Sequence, residues 1–94
     1  MSKHNWLRKE DKVCCLACYV YAMEGKGDDV HSIHEELCAA LPHISPGSIR
    51  MKMQNIKQLF IEHKIEHTFN IAPLEKYSVQ CEEEFLDALR GEVK

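Results

Sequence analysis

Residues 45–63, SPGSIRMKMQNIKQLFIEH, constrain the fold more than any other stretch. Ile49, Met53, Ile56 and Phe60 recur there at the three-to-four-residue spacing that stacks side chains along one side of an α-helix. Pro46 and Gly47 read as the turn that feeds this helix and Ser48 as the cap for its first amides, so a helix is expected over 48–63. At about 100° per residue, Arg50, Gln54, Lys57 and Gln58 fall on the opposite side, and no carboxylate joins them until Glu62. A face of two cations and two carboxamides suits an anionic partner rich in hydrogen-bond acceptors.

The rest of the chain punctuates into three more helices. The first is expected over about 8–23, just after Trp6, with Val13, Leu16, Ala17, Val20 and, one turn on, Met23 or Glu24 as its inner stripe and Tyr19 and Tyr21 beside it. EGKGDD then ends it in an exposed loop. Asp29 caps a second helix over 30–41, where Val30, Ile33, Leu37 and Leu41 repeat at helical spacing and Pro42 closes the run. The turn PHISPG leads into the basic helix, giving a helix-turn-helix-like pair. Past His63 the pattern weakens, and KIEHTFNIAPL, with Ile65, Phe69 and Ile71 as its apolar residues, fits an irregular crossing segment better than a short extended arm. Ser78 caps a last helix with Val79, Cys81 or Glu82, Phe85, Leu86 and Leu89 inward and Gly91 as the stop. The expectation is therefore a single all-α domain over 1–94, a compact four-helix fold.

Charge is sorted along the chain. Against a total of −3, residues 1–12 carry net +2 through Lys3, Arg8, Lys9 and Lys12, and residues 43–64 carry net +3 through Arg50, Lys52, Lys57 and Lys64. Four carboxylates without a cation fill 28–36, and Glu82, Glu83 and Glu84 form an acidic run, read as a solvated helix face. Such sorting allows one positive and one negative face on an acidic protein. The charged start has no apolar core of a secretory signal, and no apolar run reaches membrane-spanning length. Five cysteines, an odd number set within helical patterns, point to reduced thiols and a cytoplasmic location.

The residues Trp6, Glu10, Asp11, Leu16, Tyr19, Gly47, Ser48, Lys52, Asn55, Ile56, Ser78, Glu84 and Phe85 together carry a likeness to a family. In their order and spacing the chain resembles the small helical domain found ahead of the HNH nuclease domain in restriction-type and 5-methylcytosine-type endonucleases. The resemblance spans most of the chain on a short, degenerate motif. It implies a DNA-facing accessory module, either the targeting part of a longer nuclease or a relative that binds without cutting. No HNH segment with its metal-ligating histidines occurs within the 94 residues.

Other chemistry is weaker. Cys15 and Cys18 form a CxxC beside Cys14, but the second pair that tetrahedral zinc requires is missing, so small hydrophobes filling a helix interface are the better reading. His31 with His34, and His63 with His67, could each offer two ligands, yet no HExxH or third ligand accompanies them. No Ser/His/acid set or glycine-rich phosphate loop stands out, so no catalysis by this chain alone, no cofactor and no metal are expected. Lys52 lies near the core edge, where it snorkels or pairs with an acid, and Asn55 fits a backbone-fixing role better than an adenine contact.

The functional expectation is a DNA-binding helical module. The helix over 48–63 faces the duplex, with Arg50, Lys57 and Lys64 on phosphates, Gln54 and Gln58 at base edges, and Arg8, Lys9 and Lys12 extending the phosphate track. The alternative is a protein-interaction module or small regulator that docks a partner protein.

Overall fold

The computed structural model describes residues 5–65 and 67–93, and the side chains of 5–65 and 67–91. Four helices follow one another: α1 (Arg8–Met23), α2 (Val30–Ala40), α3 (Pro46–Glu62) and α4 (Val79–Val93), with no strand among the described residues. The fold class is all-α, and all four helices feed one buried cluster.

Each helix start has a local cause. Leu7 N donates to Glu10 Oε1 at 2.8 Å, so a first-turn carboxylate satisfies the amide that opens α1. Asp29 Oδ1 accepts from Ser32 N at 3.2 Å to cap α2. At α3 the cap is Ser45, whose Oγ accepts from Ser48 N at 3.3 Å. Pro46 is thereby the first helical residue instead of part of the turn, a place its fixed φ and missing N–H suit. Ser78 Oγ accepts from Cys81 N at 3.0 Å at the start of α4. Gly91 does not stop that helix, which runs on to Val93.

Two helix ends share one geometry with different residues. After α1, Lys26 N bonds Tyr21 O and Gly25 N bonds Ala22 O, with Gly25 at φ 77°. After α3, Ile65 N bonds Phe60 O and Lys64 N bonds Ile61 O, with Lys64 at φ 55°. Both are Schellman closures, and only the first places glycine where the left-handed backbone favours it.

The inner face of α1 departs from expectation. Cys14, Cys15, Cys18, Tyr19 and Ala22 are buried, whereas Val13 and Met23 are exposed. The helix is turned by roughly one residue from the expected stripe because its first-turn acids Glu10 and Asp11 also point inward, where both have partners. On α4 the buried side is Cys81, Glu84, Phe85 and Ala88, and Val79 is exposed. Phe60 on α3 is the hub of the core. Its ring meets Phe85 edge-on at 5.1 Å and Phe69 at 6.1 Å, and it stacks with the His67 imidazole at 4.7 Å. One α3 side chain thus ties α4 to the segment that follows α3 itself.

The described residues of that segment, 64–65 and 67–78, are irregular as expected but closely held. Gly27 is its landing point. Thr68 Oγ1 accepts from Gly27 N at 2.9 Å and donates to Ala22 O at 3.0 Å, and Asn70 N donates to Gly27 O at 3.0 Å. A Cβ at residue 27 would lie 2.5 Å from Phe69 N, so only glycine permits this approach. Phe69 and Ile71 are buried in the core from this side.

Candidate nucleic-acid interface

The proposed contacts must come from what α3 leaves uncovered. Ile49, Lys52, Met53, Ile56, Leu59 and Phe60 are buried, so Gly47, Arg50, Met51, Gln54, Gln58 and Ile61 form the outward stripe. Arg50 is exposed, and among the described residues it has no ion pair; Gln54 and Gln58 are half-buried. Met51 and Ile61 are exposed at 52% and 46%, so the stripe is amphipathic rather than purely polar.

The connector grips α3 on both flanks of this stripe. On one flank Lys57 Nζ donates to Phe69 O at 2.6 Å and to His67 Nε2 at 2.7 Å. His67 Nδ1 donates to Ile65 O at 2.7 Å, which leaves Nε2 as the acceptor Lys57 needs. About 160° around the helix, the Asn55 carboxamide nitrogen donates to Leu74 O at 3.1 Å and to Lys76 O at 2.7 Å. Between them Leu74 N donates to Gln54 O at 3.2 Å. The Tyr77 hydroxyl bonds the Glu62 carboxylate, which pushes the phenol up to about 12. Residues 69–77 therefore strap the helix, and Asn55 holds a loop as its mid-helix position suggested.

This geometry redistributes the expected contacts. The Lys57 ammonium is half-buried and engaged by protein acceptors, and burial lowers its pKa, so it is no free phosphate ligand. Arg8 is exposed but bridges two acids, Nη2 to Glu83 Oε1 and Nη1 to Glu84 Oε2, both at 2.9 Å. Those carboxylates raise the guanidinium pKa and screen its charge. The run at 82–84 is accordingly not one solvated face, because Glu84 is buried. Lys9, Lys12 and Lys64 are exposed. Lys3, part of the positive amino-terminal stretch, lies outside the described residues. The structure thus keeps Arg50, Gln54 and Gln58 on one stripe and commits Lys57 and Arg8 elsewhere.

Behind α3 lies a polar cluster that sequence reasoning glimpsed only at Lys52. Lys52 Nζ sits 2.7 Å from Asp11 Oδ1, with the two side chains 5% and 0% exposed. The contact is ionic rather than an aligned hydrogen bond. Gln80 Nε2 donates to Asp11 Oδ2 at 2.8 Å and to Trp6 O at 2.9 Å, and Lys52 Nζ stands 4.6 Å from the Trp6 ring centroid. Nearby, His43 Nε2 donates to the buried Glu10 Oε2 at 2.5 Å, tying the α2–α3 turn to α1. Trp6, Glu10 and Asp11 sit outside the apolar periodicity, so a count of apolar spacing does not place them in this cluster.

The candidate metal ligands are dispersed. His31 pairs with Glu35, His34 Nε2 donates to Pro46 O at 2.8 Å, and His63 pairs with Glu82 at 3.0 Å. All five cysteines are unpaired, and Cys14, Cys15, Cys18 and Cys81 are fully buried at the α1–α4 contact. Burial pushes Cys14 up to about 12 and raises Cys18 well above the ordinary thiol value, as expected of packing thiols. Among the described residues no group of three or more His, Cys, Asp or Glu could hold a metal ion, and no helix is long and apolar enough to cross a membrane. No family model, curated protein or solved structure matches the chain.

Proposed function

We propose that this chain is a DNA-facing helical module that engages a duplex through the outward stripe of α3. Arg50 would lie on a phosphate and Gln54 and Gln58 near base edges. The observation that carries the reading is the stripe itself. From Gly47 to Gln58 it presents an unpaired arginine and two carboxamides with no carboxylate, on the second helix of a closely turned pair. The likeness to helical domains ahead of HNH nucleases supports the same reading and makes targeting of a nuclease the corresponding role. Lys9, Lys12 and Lys64 are the exposed cations left to widen the phosphate track, whereas Lys57 and Arg8 leave the contact set.

Fluorescence anisotropy with a labelled duplex at 50 and 150 mM salt tests this. With about three phosphates neutralised, log Kd should change with log salt by about 2 to 3. Arg50→Glu should abolish binding at the lower salt, and Lys57→Met should leave the affinity within about twofold for a folded protein. A wild-type protein without salt-dependent duplex binding at 50 mM overturns the proposal. Exposed Met51 and Ile61 on the same stripe favour a second reading, a helical adaptor that docks a partner protein there. That reading predicts no duplex binding at either salt and loss of partner docking on Met51→Glu.

A further inference from the structure

We infer that the outer face of α1 is a self-association surface, along which two copies of the chain pair antiparallel into a two-fold symmetric dimer. Burial of Cys14, Cys15, Cys18, Tyr19 and Ala22 uses one side of this helix, yet the other side is apolar as well. Val13 and Met23 are exposed at 39% and 42%, and Leu16, Ala17 and Val20 between them are half-buried. At about 100° per residue these five lie within an arc of about 120°, a width of apolar stripe that normally faces a core. Lys9 and Glu24, both exposed, stand at its two ends.

Charge identifies the occupant. Among the described residues Lys9 has no ion pair, and Glu24 meets one cation, Lys26, at 3.9 Å. A cation in the first turn and a carboxylate just past the last are each of the wrong sign for the dipole of their own helix, so neither stabilises α1 by itself. Antiparallel pairing reverses both relations. Centred between Leu16 and Ala17, it sets Lys9 opposite Glu24 of the copy and Val13 opposite Val20, twice over by symmetry. Each charge then also meets the favourable end of the copy's helix dipole, and the small Ala17 at the centre lets the two backbones approach. Parallel pairing would instead set Lys9 against Lys9 and Glu24 against Glu24, a repulsive arrangement. One face of a 16-residue helix makes a small interface, so the dimer is weak and forms at high concentration. Lys9 is then committed to protein, and Lys12 and Lys64 remain as exposed cations for a phosphate. Pairing of this kind neither needs nor excludes duplex binding by α3.

Sedimentation equilibrium of the full chain, from about 10 µM to about 1 mM at 150 mM salt, tests this without DNA. The expected result is an average mass that climbs from 10.9 kDa towards twice that value. Val13→Glu, at a position already exposed in the fold, should raise the dimer Kd at least about tenfold with the helical circular-dichroism spectrum unchanged. Lys9→Glu should raise it about three- to tenfold, because each copy then sets a carboxylate against Glu24. Lys9→Glu/Glu24→Lys, which exchanges the two charges, should return it to within about threefold of wild type. A wild-type mass fixed at 10.9 kDa throughout overturns the inference and leaves the stripe to a partner of another kind. Self-association that Val13→Glu does not weaken overturns it too, by placing the contact elsewhere, such as on Met51 and Ile61 of α3. So does an unchanged Kd for Lys9→Glu, or a double exchange that fails to recover the loss, because the two ends of the stripe would then not meet.

Discussion

Lys52 and Lys57 stand five residues apart on α3, and neither directs its ammonium freely into solvent. On the inner side, Lys52 is matched by a full negative charge in a site from which water is almost excluded. On the outer flank, Lys57 is held only by a backbone carbonyl and a neutral imidazole nitrogen, so burial is opposed by dipoles alone and its pKa falls. The first arrangement resists any change in partner. The second keeps an irregular segment against the helix while tolerating loss of charge.

The sharpest way to break this contrast is to remove one side of the inner pair. Asp11→Leu strands a buried ammonium and should cost about 3–5 kcal/mol in chemical denaturation, against a small effect for the double replacement with Lys52→Met. On the outer flank the strap can be attacked at its landing point. Gly27→Ala forces a methyl to within 2.5 Å of Phe69 N, a backbone atom that has to shift. The expected loss is about 1–3 kcal/mol, with faster hydrogen exchange at the amides of residues 27 and 70 and little change at α1.

Alkaline pH separates the two kinds of buried group. Cys14, raised to about 12, keeps its proton in the folded state where an unfolded thiol has lost it. Its contribution is fully present below about pH 8.5 and declines above, at about 1.4 kcal/mol per pH unit. Lys57 acts in the opposite sense. Its folded pKa is lowered, so stability rises as pH climbs from that value towards the unfolded value of about 10.4. Denaturation series from pH 8 to 11 should show Cys14→Ala flattening the alkaline decline and Lys57→Met steepening it. The smallest effect is expected at the end of the same helix. Lys64→Gly relieves a left-handed backbone at the cost of a more flexible unfolded chain, for a net gain of about 0.5–1 kcal/mol in thermal melts.

These comparisons show which parts of the molecule a reader of the sequence could reach. The four helices, the cap by Asp29, the irregular stretch after α3 and the buried thiols followed from periodicity and capping chemistry, signals that span only a few residues. The inner face of α1 did not, because cysteines carry little weight in an apolar count and because Glu10 and Asp11 look solvated until Lys52 and His43 are placed beside them. The engagement of Lys57 escapes local pattern for a related reason. Helical angle correctly put it away from the core, but nothing in KIEHTFNIAPL announces that Phe69 O and His67 will come back across α3 to meet it. Arg8 was likewise an exposed cation whose acids lie some 75 residues downstream. Local pattern finds the elements, whereas pairing between distant charges decides which of their faces remain available.

The thiols give the molecule an internal gauge of its own opening. Four of the five are sealed between helices, and Cys38 alone is half-buried, beside His34. A thiol-specific reagent added to the native protein therefore has one partly accessible target. The others become reactive only as α1 and α4 separate, so the rate at which they are modified reports how often that contact opens.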